Sequence, residues 1–246
     1  MIDPEAKREL APGGELVVGV VQAPQSGVFF VGLDPATGQP FGVTAALGSA
    51  LAAELSVPVR FRVHPNSGEC TDALAAGVVG VAFMPVDDER RRTVEFGPAY
   101  YQLESTYLVT RQSGVSEVDG VNAAGMRVIG IANTTTIRAS ARTLARTQPV
   151  AVRSVEDALD AMRSGQADAL ALSRDSLASL APSVPGSVIV AGRFQQTNVA
   201  IAVPKGRAAA HACVSAFLER AKADGLVRRI FDAAGLSGEA VAPLEA

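Results

Sequence analysis

The sequence predicts an α/β protein of two lobes, each with a central, mostly parallel sheet flanked by helices. Its 246 residues are 48% hydrophobic and 19% charged, a composition typical of globular domains rather than disordered chains. Short apolar runs rich in β-branched residues alternate with segments whose apolar residues have helical spacing. This alternation occurs twice, before and after a polar, glycine-containing segment at residues 111–125, so we expect two lobes of about a hundred residues each.

The first alternation predicts strand, helix, strand, helix and strand in turn. A buried strand covers residues 15–21, and helical spacing begins at Thr44. Residues 59–63 alternate apolar and charged side chains, as in a strand with one solvated face. A short helix at 71–76 and a second buried strand at 78–84 complete the pattern, which favours a parallel sheet covered by helices.

The second alternation has the same character. Its predicted strands are 126–132, 150–152, 169–173 and 187–191, and its first helix covers 135–147. Ser154, with Asp157 three residues later, has the spacing of a helix N-cap, and Gly165 is expected to end that second helix. A strand at 199–203 and two amphipathic helices end the chain.

Composition also excludes several classes of protein. The formal charge of −3 argues against a nucleic-acid binder, and acidic residues flank the basic run Arg90, Arg91 and Arg92. We expect no membrane span and no secretory signal in this sequence, since no apolar stretch is long enough. Two histidines and two cysteines form neither a metal-ligand pattern nor a disulfide framework, so we expect no metal or cofactor.

Six motifs in a fixed order resemble one family. The most specific is DDERRRTVEFGPAY at 87–100, which is similar to the pattern T-x-E-R-x-x-x-V-D-F-S-x-P-Y. The other five are ELVVGVV at 15–21, GQPFGVTAALGSALAAEL at 38–55, IGIANTTT at 129–136, GQADA at 165–169 and AIAVPKG at 200–206. Together they resemble the extracellular solute-binding proteins of the amino-acid type, family 3, over nearly the whole chain.

The resemblance implies the bilobal type II periplasmic-binding fold, with two hinge crossings of the chain. Lobe 1 would comprise residues 1–107 plus 198–246, and lobe 2 residues 108–197. The implied function is non-catalytic binding of a small carboxylate-containing solute, an amino acid or a related organic acid, by hinge closure. The implied partner is an ABC transporter permease, and we expect a monomer. The family implies a periplasmic location, with the cytoplasm as the alternative because this sequence shows no signal peptide.

Arg90 falls where the family places the arginine that binds the ligand carboxylate, and a planar guanidinium can bind a carboxylate through two hydrogen bonds. The alternative is a solvated run of charges. Thr134, Thr135 and Thr136 follow a predicted strand and begin a helix, whose first N–H groups attract anions. The alternative for these threonines is ordinary N-capping. The family usually has glycine at the position of Thr134.

Ser173 stands where amino-acid binders typically carry the aspartate that pairs the ligand ammonium. Asp87 is a candidate to supply a compensating charge, and its alternative role is a helix N-cap. The headgroup is therefore open, because an unpaired buried ammonium is costly. An amino acid and a simple carboxylic or keto acid remain equal alternatives.

Further candidates come from the same resemblance. Phe29 or Phe30 would form an apolar wall of the site, and Phe83 and Met84 its floor, with core packing as the alternative for each. The polar residues that we expect near the ligand are Gln22 and Gln195.

Nothing in the sequence requires catalysis, since no nucleophile elbow or phosphate-binding loop is present. Some relatives on this fold are lyases of the cyclohexadienyl or arogenate dehydratase type. Glu104 and Asp87 are the candidates for the general acid that such a reaction needs. A ligand-sensing domain of the same fold is a further alternative.

Overall fold

The computed structural model describes residues 3–22 and 31–245. The chain divides into two compact units: unit 1 is Met1–Gln102 with Asn198–Ala246, and unit 2 is Leu103–Thr197. The first boundary therefore follows Gln102 and not Tyr107, because the strand residues from Ser105 onward pair within unit 2. None of the described helices is long and apolar enough to span a bilayer.

Unit 1 contains a sheet with the strands β1 Leu16–Val21, β4 Val59–His64, β5 Val81–Pro85, the first part of β6 Val94–Val109 and most of β11 Gln195–Pro204. A separate hairpin joins β2 Gly32–Leu33 and β3 Pro40–Phe41. The sheet has the order β4-β1-β5-β11-β6, in which β1 is parallel to β4 and β5, and β11 is antiparallel to β5. The helices are α1 Pro4–Leu10, α2 Val43–Leu55, α3 Ser67–Ala75, α7 Ala208–Ala223 and α8 Leu226–Ala233.

The core of unit 1 consists of fully buried apolar side chains on β1, β5 and the helices. Phe83 and Tyr100 meet edge to face, with ring centroids 6.0 Å apart. Gly80 allows α1 to approach the sheet, since a Cβ at Gly80 would lie 2.2 Å from the carbonyl oxygen of Leu10. The C-terminal segment packs on the same unit, and the amide of Ala242 donates to the Tyr100 carbonyl over 3.0 Å.

The sheet of unit 2 continues from β6 with the strands β7 Val128–Ile131, β8 Val150–Val152, β9 Ala169–Ser173 and β10 Val188–Ile189. The helices are α4 Thr135–Thr143, α5 Val155–Arg163 and α6 Arg174–Leu180. The strand order is β6-β9-β7-β8, with β10 also pairing with β6. Strand β7 is parallel to β8 and β9, whereas β6 is antiparallel to β9. Two buried apolar clusters pack on the sheet, one around Leu170 and the other around Ala171.

Several boundaries differ from the predictions for identifiable reasons. Helix α3 begins at Ser67 rather than Thr71, because the side chain of Asn66 caps it by accepting from the Glu69 amide at 2.9 Å. Helix α4 ends at Thr143 rather than residue 147, because the amides of residues 145 and 146 donate to the side chain of Asn122. The predicted link at 111–125 contains two short 3₁₀ turns, Arg111–Ser113 and Val118–Val121.

Candidate ligand-binding residues

Arg90 lies in a 3₁₀ turn, Arg90–Arg92, that follows the carboxyl end of β5. Its side chain is buried, with 3% of the residue exposed, whereas Arg91 and Arg92 are exposed. The Arg90 guanidinium donates from Nη1 to the Pro85 carbonyl over 2.7 Å and from Nη2 to the Ser67 hydroxyl over 2.6 Å. Arg90 is therefore not part of a solvated charge run: two short hydrogen bonds fix the plane of its guanidinium.

Asp87 shapes the turn that carries Arg90. Its Oδ1 accepts from the amide of Glu89 over 2.9 Å and from the amide of Arg90 over 3.1 Å. This is the capping role that the sequence offered as the alternative for Asp87. Ligand contact by Asp87 stays a prediction.

Thr134 is the N-cap of α4, which is the alternative role that the sequence analysis gave for these threonines. Its hydroxyl donates to the Ile131 carbonyl over 2.8 Å and accepts from the Ile137 amide over 3.3 Å. The hydroxyl oxygens of Thr134 and Thr136 are 2.9 Å apart. Thr135 and Thr136 are buried in the first turn of α4, directly after the carboxyl end of β7. Helix N-termini leave backbone N–H groups without intrahelical acceptors, so this turn is a candidate for anion binding.

Threonine replaces the family's usual glycine at position 134 without backbone strain. Thr134 has φ −99° and ψ 155°, which is extended backbone that any residue adopts. The residue with left-handed geometry in this turn is Asn133, with φ 61°. Asparagine tolerates that region better than most side chains.

Ser173 ends β9 and is 3% exposed. Its hydroxyl donates to the Ser176 hydroxyl over 2.8 Å. Across the antiparallel pair, Ser173 lies opposite Ser105 on β6. In unit 2 the structure thus gathers hydroxyl groups at the end of β9.

The proposed floor residues are core residues of unit 1. Phe83 and Met84 are both fully buried, and the Met84 sulfur accepts from the Thr71 hydroxyl over 3.2 Å. This agrees with core packing, the alternative that the sequence left open for them. Phe29 and Phe30 lie outside the described residues.

The two glutamines differ in their surroundings. Gln22 is exposed, and its backbone amide donates to the His64 carbonyl over 2.9 Å. Gln195 is half-buried, and its Oε1 is buried without a hydrogen-bond partner in the described part of the chain. Ligand contact by either stays a prediction.

Glu104, a candidate general acid, is engaged in ion pairs within unit 2. Its carboxylate contacts Arg174 over 3.2 Å and Arg193 over 2.7 Å. Within residues 3–22 and 31–245, no group of three or more His, Cys, Asp or Glu side chains is arranged to hold a metal ion.

Sequence reasoning missed Ser67 and Ser105. Ser67 contacts Arg90 from the first turn of another helix, and Ser105 belongs to a strand that the apolar pattern did not reveal. Neither serine belongs to a recognisable motif, so only the fold shows their positions.

The chain is similar to solute-binding proteins in sequence. Residues 30–234 match the model of the bacterial extracellular solute-binding proteins, family 3. The ABC transporter glutamine-binding protein GlnH of Bacillus subtilis (strain 168) is 25% identical over 151 residues, which are 61% of this chain and 55% of that protein. The chain thus spans little more than half the length of this curated relative.

Solved structures show the same fold. An amino acid ABC transporter substrate-binding protein, AbpA from Streptococcus pneumoniae bound to L-arginine, has a TM-score of 0.78 at 18% identity, covering 94% of this chain and 98% of that one. The ancestral amino acid-binding protein AncCDT-1, a precursor of cyclohexadienyl dehydratase, has a TM-score of 0.77 at 24% identity, covering 92% and 98%. At these identities the similarity shows the fold alone, and the predicted type II periplasmic-binding fold is confirmed.

Proposed function

Because the chain belongs to the bacterial extracellular solute-binding proteins, family 3, we propose that it binds a small carboxylate-containing solute without transforming it. The solute would be an amino acid or a related organic acid, delivered to the permease of an ABC-type transporter. A relative named as a glutamine-binding protein and a solved amino acid substrate-binding protein bound to L-arginine support this class of ligand. We further propose a monomer that works outside the cytoplasmic membrane, which accords with the family's description as extracellular.

The observation that carries the proposal is the fixed guanidinium of Arg90. A side chain held by the Pro85 carbonyl and the Ser67 hydroxyl loses little further conformational entropy when a ligand binds. A planar guanidinium recognises a carboxylate through paired, charge-assisted hydrogen bonds. Arg90 also follows the carboxyl end of a parallel strand, where α/β sheets usually place their ligands.

Unit 2 supplies a second candidate group that can bind a carboxylate. The first turn of α4 follows the carboxyl end of parallel strand β7, with Thr135 and Thr136 buried in it. Its backbone N–H groups and the helix dipole favour an anion. We propose that this turn is an anion-binding group of unit 2, as Arg90 is of unit 1.

Titration calorimetry with a panel of amino acids, dicarboxylates, hydroxy acids and aromatic acids tests the function. We expect one class of acid to bind saturably, and Arg90→Ala to weaken it by about a hundredfold, since hydrogen bonds to a charged group are worth roughly 1.5–3 kcal/mol. The matched control is Arg92→Ala, which removes an exposed charge two residues away and should leave affinity unchanged. Unchanged affinity in Arg90→Ala would contradict the assignment of Arg90.

Absence of catalysis is tested with the purified protein and its ligand. Nuclear magnetic resonance should show the ligand intact after prolonged incubation. Prephenate and arogenate are included because dehydratases occur on this fold. Formation of a dehydrated product from either acid would show a lyase.

A further inference from the structure

Unit 2 contains a buried serine hydroxyl without a hydrogen-bond partner in the described part of the chain. Ser105 is 1% exposed, and its Oγ has no hydrogen-bond partner within the described ranges. A buried hydroxyl left without a hydrogen-bond partner destabilises the folded protein. Such groups in native proteins usually bind a partner, and contact with a solute is one explanation that can be tested.

The strand register places this hydroxyl beside Ser173. Ser105 on β6 lies directly opposite Ser173 on β9, so the two side chains lie on the same face of the sheet. The amide of Phe194 donates to the Ser105 carbonyl over 3.0 Å, so the backbone groups of Ser105 point away from β9. Ser105 and Ser173 therefore form a non-hydrogen-bonded pair, in which side chains approach most closely. The Ser173 hydroxyl donates to Ser176 and does not satisfy Ser105.

The same face of the sheet carries α4. Tyr107, two residues after Ser105 on β6, has its hydroxyl 3.0 Å from that of Ser140 on α4. Two strand residues span about 6.8 Å. At about 1.5 Å per helical residue, that distance corresponds to four or five residues of α4.

The strand directions show toward which end of α4 the displacement from Tyr107 to Ser105 points. Strand β6 is antiparallel to β9. Ser105, two residues before Tyr107, is therefore closer than Tyr107 to the carboxyl ends of β7 and β9, where α4 begins. By this estimate Ser105 lies toward the same end of the sheet of unit 2 as the first turn of α4, which holds Thr135 and Thr136. A buried, unpartnered hydroxyl and a helix N-terminus therefore lie at one edge of unit 2.

We propose that Ser105 and Ser173 contact the solute, and that it is a carboxylate with a neutral oxygen on the adjacent carbon, a 2-hydroxy or 2-oxo acid. This rests on the proposed function. The first turn of α4 binds the carboxylate, and the Ser105 hydroxyl, able to donate or accept, bonds the neighbouring oxygen. While it donates to Ser176, the Ser173 hydroxyl keeps acceptor capacity for the proton of a 2-hydroxyl group, whereas a 2-oxo oxygen would accept from Ser105 alone.

The buried polar side chains of unit 2 favour an oxygen over an ammonium. The fully buried polar side chains that the structure describes in unit 2 are all hydroxyls: Ser105, Thr106, Thr135, Thr136, Ser140, Ser173, Ser176 and Thr197. A buried ammonium needs a carboxylate partner. Asp175 is half-buried in the first turn of α6 and its Oδ2 is buried, so it is the carboxylate of unit 2 to test as the partner of an ammonium.

Calorimetry with matched acids on three skeletons tests the proposal. Each set contains the unsubstituted, 2-hydroxy, 2-oxo and 2-amino acid: the three-carbon acids from propionate to alanine, the five-carbon diacids from glutarate to glutamate, and the 3-phenylpropionate series. We expect the 2-hydroxy or 2-oxo member to bind about tenfold more tightly than the 2-amino member. Ser105→Ala should weaken the oxygen-bearing members about fivefold and leave the unsubstituted acid unchanged.

Two controls separate binding from stability. Thr197→Val also removes a buried hydroxyl without a described partner, and it should not change the preference among the acids. Ser173→Asp supplies a carboxylate and should shift the preference toward the 2-amino acid.

Each contrary result has a defined meaning. If no acid binds the wild-type protein, the proposed function fails as well. If acids bind and Ser105→Ala changes nothing, or Thr197→Val has the same effect, only the role of Ser105 is wrong. Tightest binding of a 2-amino acid that Asp175→Asn abolishes would overturn the ligand class.

Discussion

Arg127 and Asp168 form a two-pronged ion pair that joins the residues preceding two neighbouring parallel strands. Nη2 of Arg127 lies 2.6 Å from Oδ1 of Asp168, and Nε lies 2.9 Å from Oδ2. The backbone amide of Arg127 donates to the same Oδ2 over 2.9 Å. The carboxylate thereby fastens β7 to β9 at their amino ends, away from the turns that carry the candidate ligand-binding groups.

Asp168→Asn should lower the midpoint of thermal unfolding by about 2–4 °C, because the isosteric amide cannot accept all of these bonds. The Arg127 side chain holds the pKa of Asp168 below its ordinary value of 3.8, and the stabilisation is therefore present above pH 3.8 and lost as pH falls through the folded-state pKa. Calorimetric scans of both proteins should converge in acid. Asp160→Asn, which breaks an exposed pair with Arg163, is the control and should have little effect.

His64 should make stability depend on pH in a different window. Burial is the main cause that lowers the pKa of its imidazole, and the nearby Arg62 charge adds to it, against an opposing effect of Glu69. Since the folded protein favours the neutral ring, its contribution is full above pH 6.5 and is lost as pH falls toward the lowered pKa. Urea unfolding from pH 7.5 to 5 should show this decline in wild type and not in His64→Leu. Parallel declines in both proteins would contradict it.

Gly80→Ala should be strongly destabilising, by more than about 2 kcal/mol, because the added methyl group meets the Leu10 carbonyl and α1 must move. Gly13→Ala is the matched control, since no atom lies within 4 Å of its added Cβ. Chemical denaturation measures both variants. Equal stability of the two would mean that α1 does not pack against Gly80.

Tyr100→Phe should leave stability within about 0.5 kcal/mol of wild type or raise it. The ring is fully buried against Phe83, burial raises the pKa of the phenol, and its hydroxyl has no partner in the described chain. Tyr100→Ala, which removes the ring, should cost about 3–5 kcal/mol. A large loss in the phenylalanine variant would reveal a hydrogen bond to the hydroxyl group.

The sequence predicted those elements whose signal is local. The strands at 150–152 and 169–173 have the predicted limits, and Ser154 caps α5 by accepting from the Asp157 amide at 3.0 Å. The strand β6 was missed over most of its 16 residues, since Gly97 and Pro98 interrupt it and its later part mixes polar and aromatic side chains. A regular alternation of apolar and polar residues, which would have indicated a strand, is therefore lacking in β6.

The candidate site was predictable only where a motif carried it. Arg90 and the start of α4 lie in motifs, whereas Ser67 reaches Arg90 from 23 residues away in sequence. The Ser105–Ser173 pair depends on strand register, which a single sequence does not reveal.

The position of β11 beside β5 affects how the chain can fold as it is synthesised. Unit 2 is one uninterrupted stretch, whereas the sheet of unit 1 lacks the neighbour of β5 until residues 199–202 have been made. A nascent chain that ends before those residues presents an open edge on β5, with Phe83 and Met84 in it, and exposed edges of this kind favour aggregation. The whole of unit 2 is therefore synthesised before the sheet of unit 1 can be completed, and β5 stays without this neighbour in the interval.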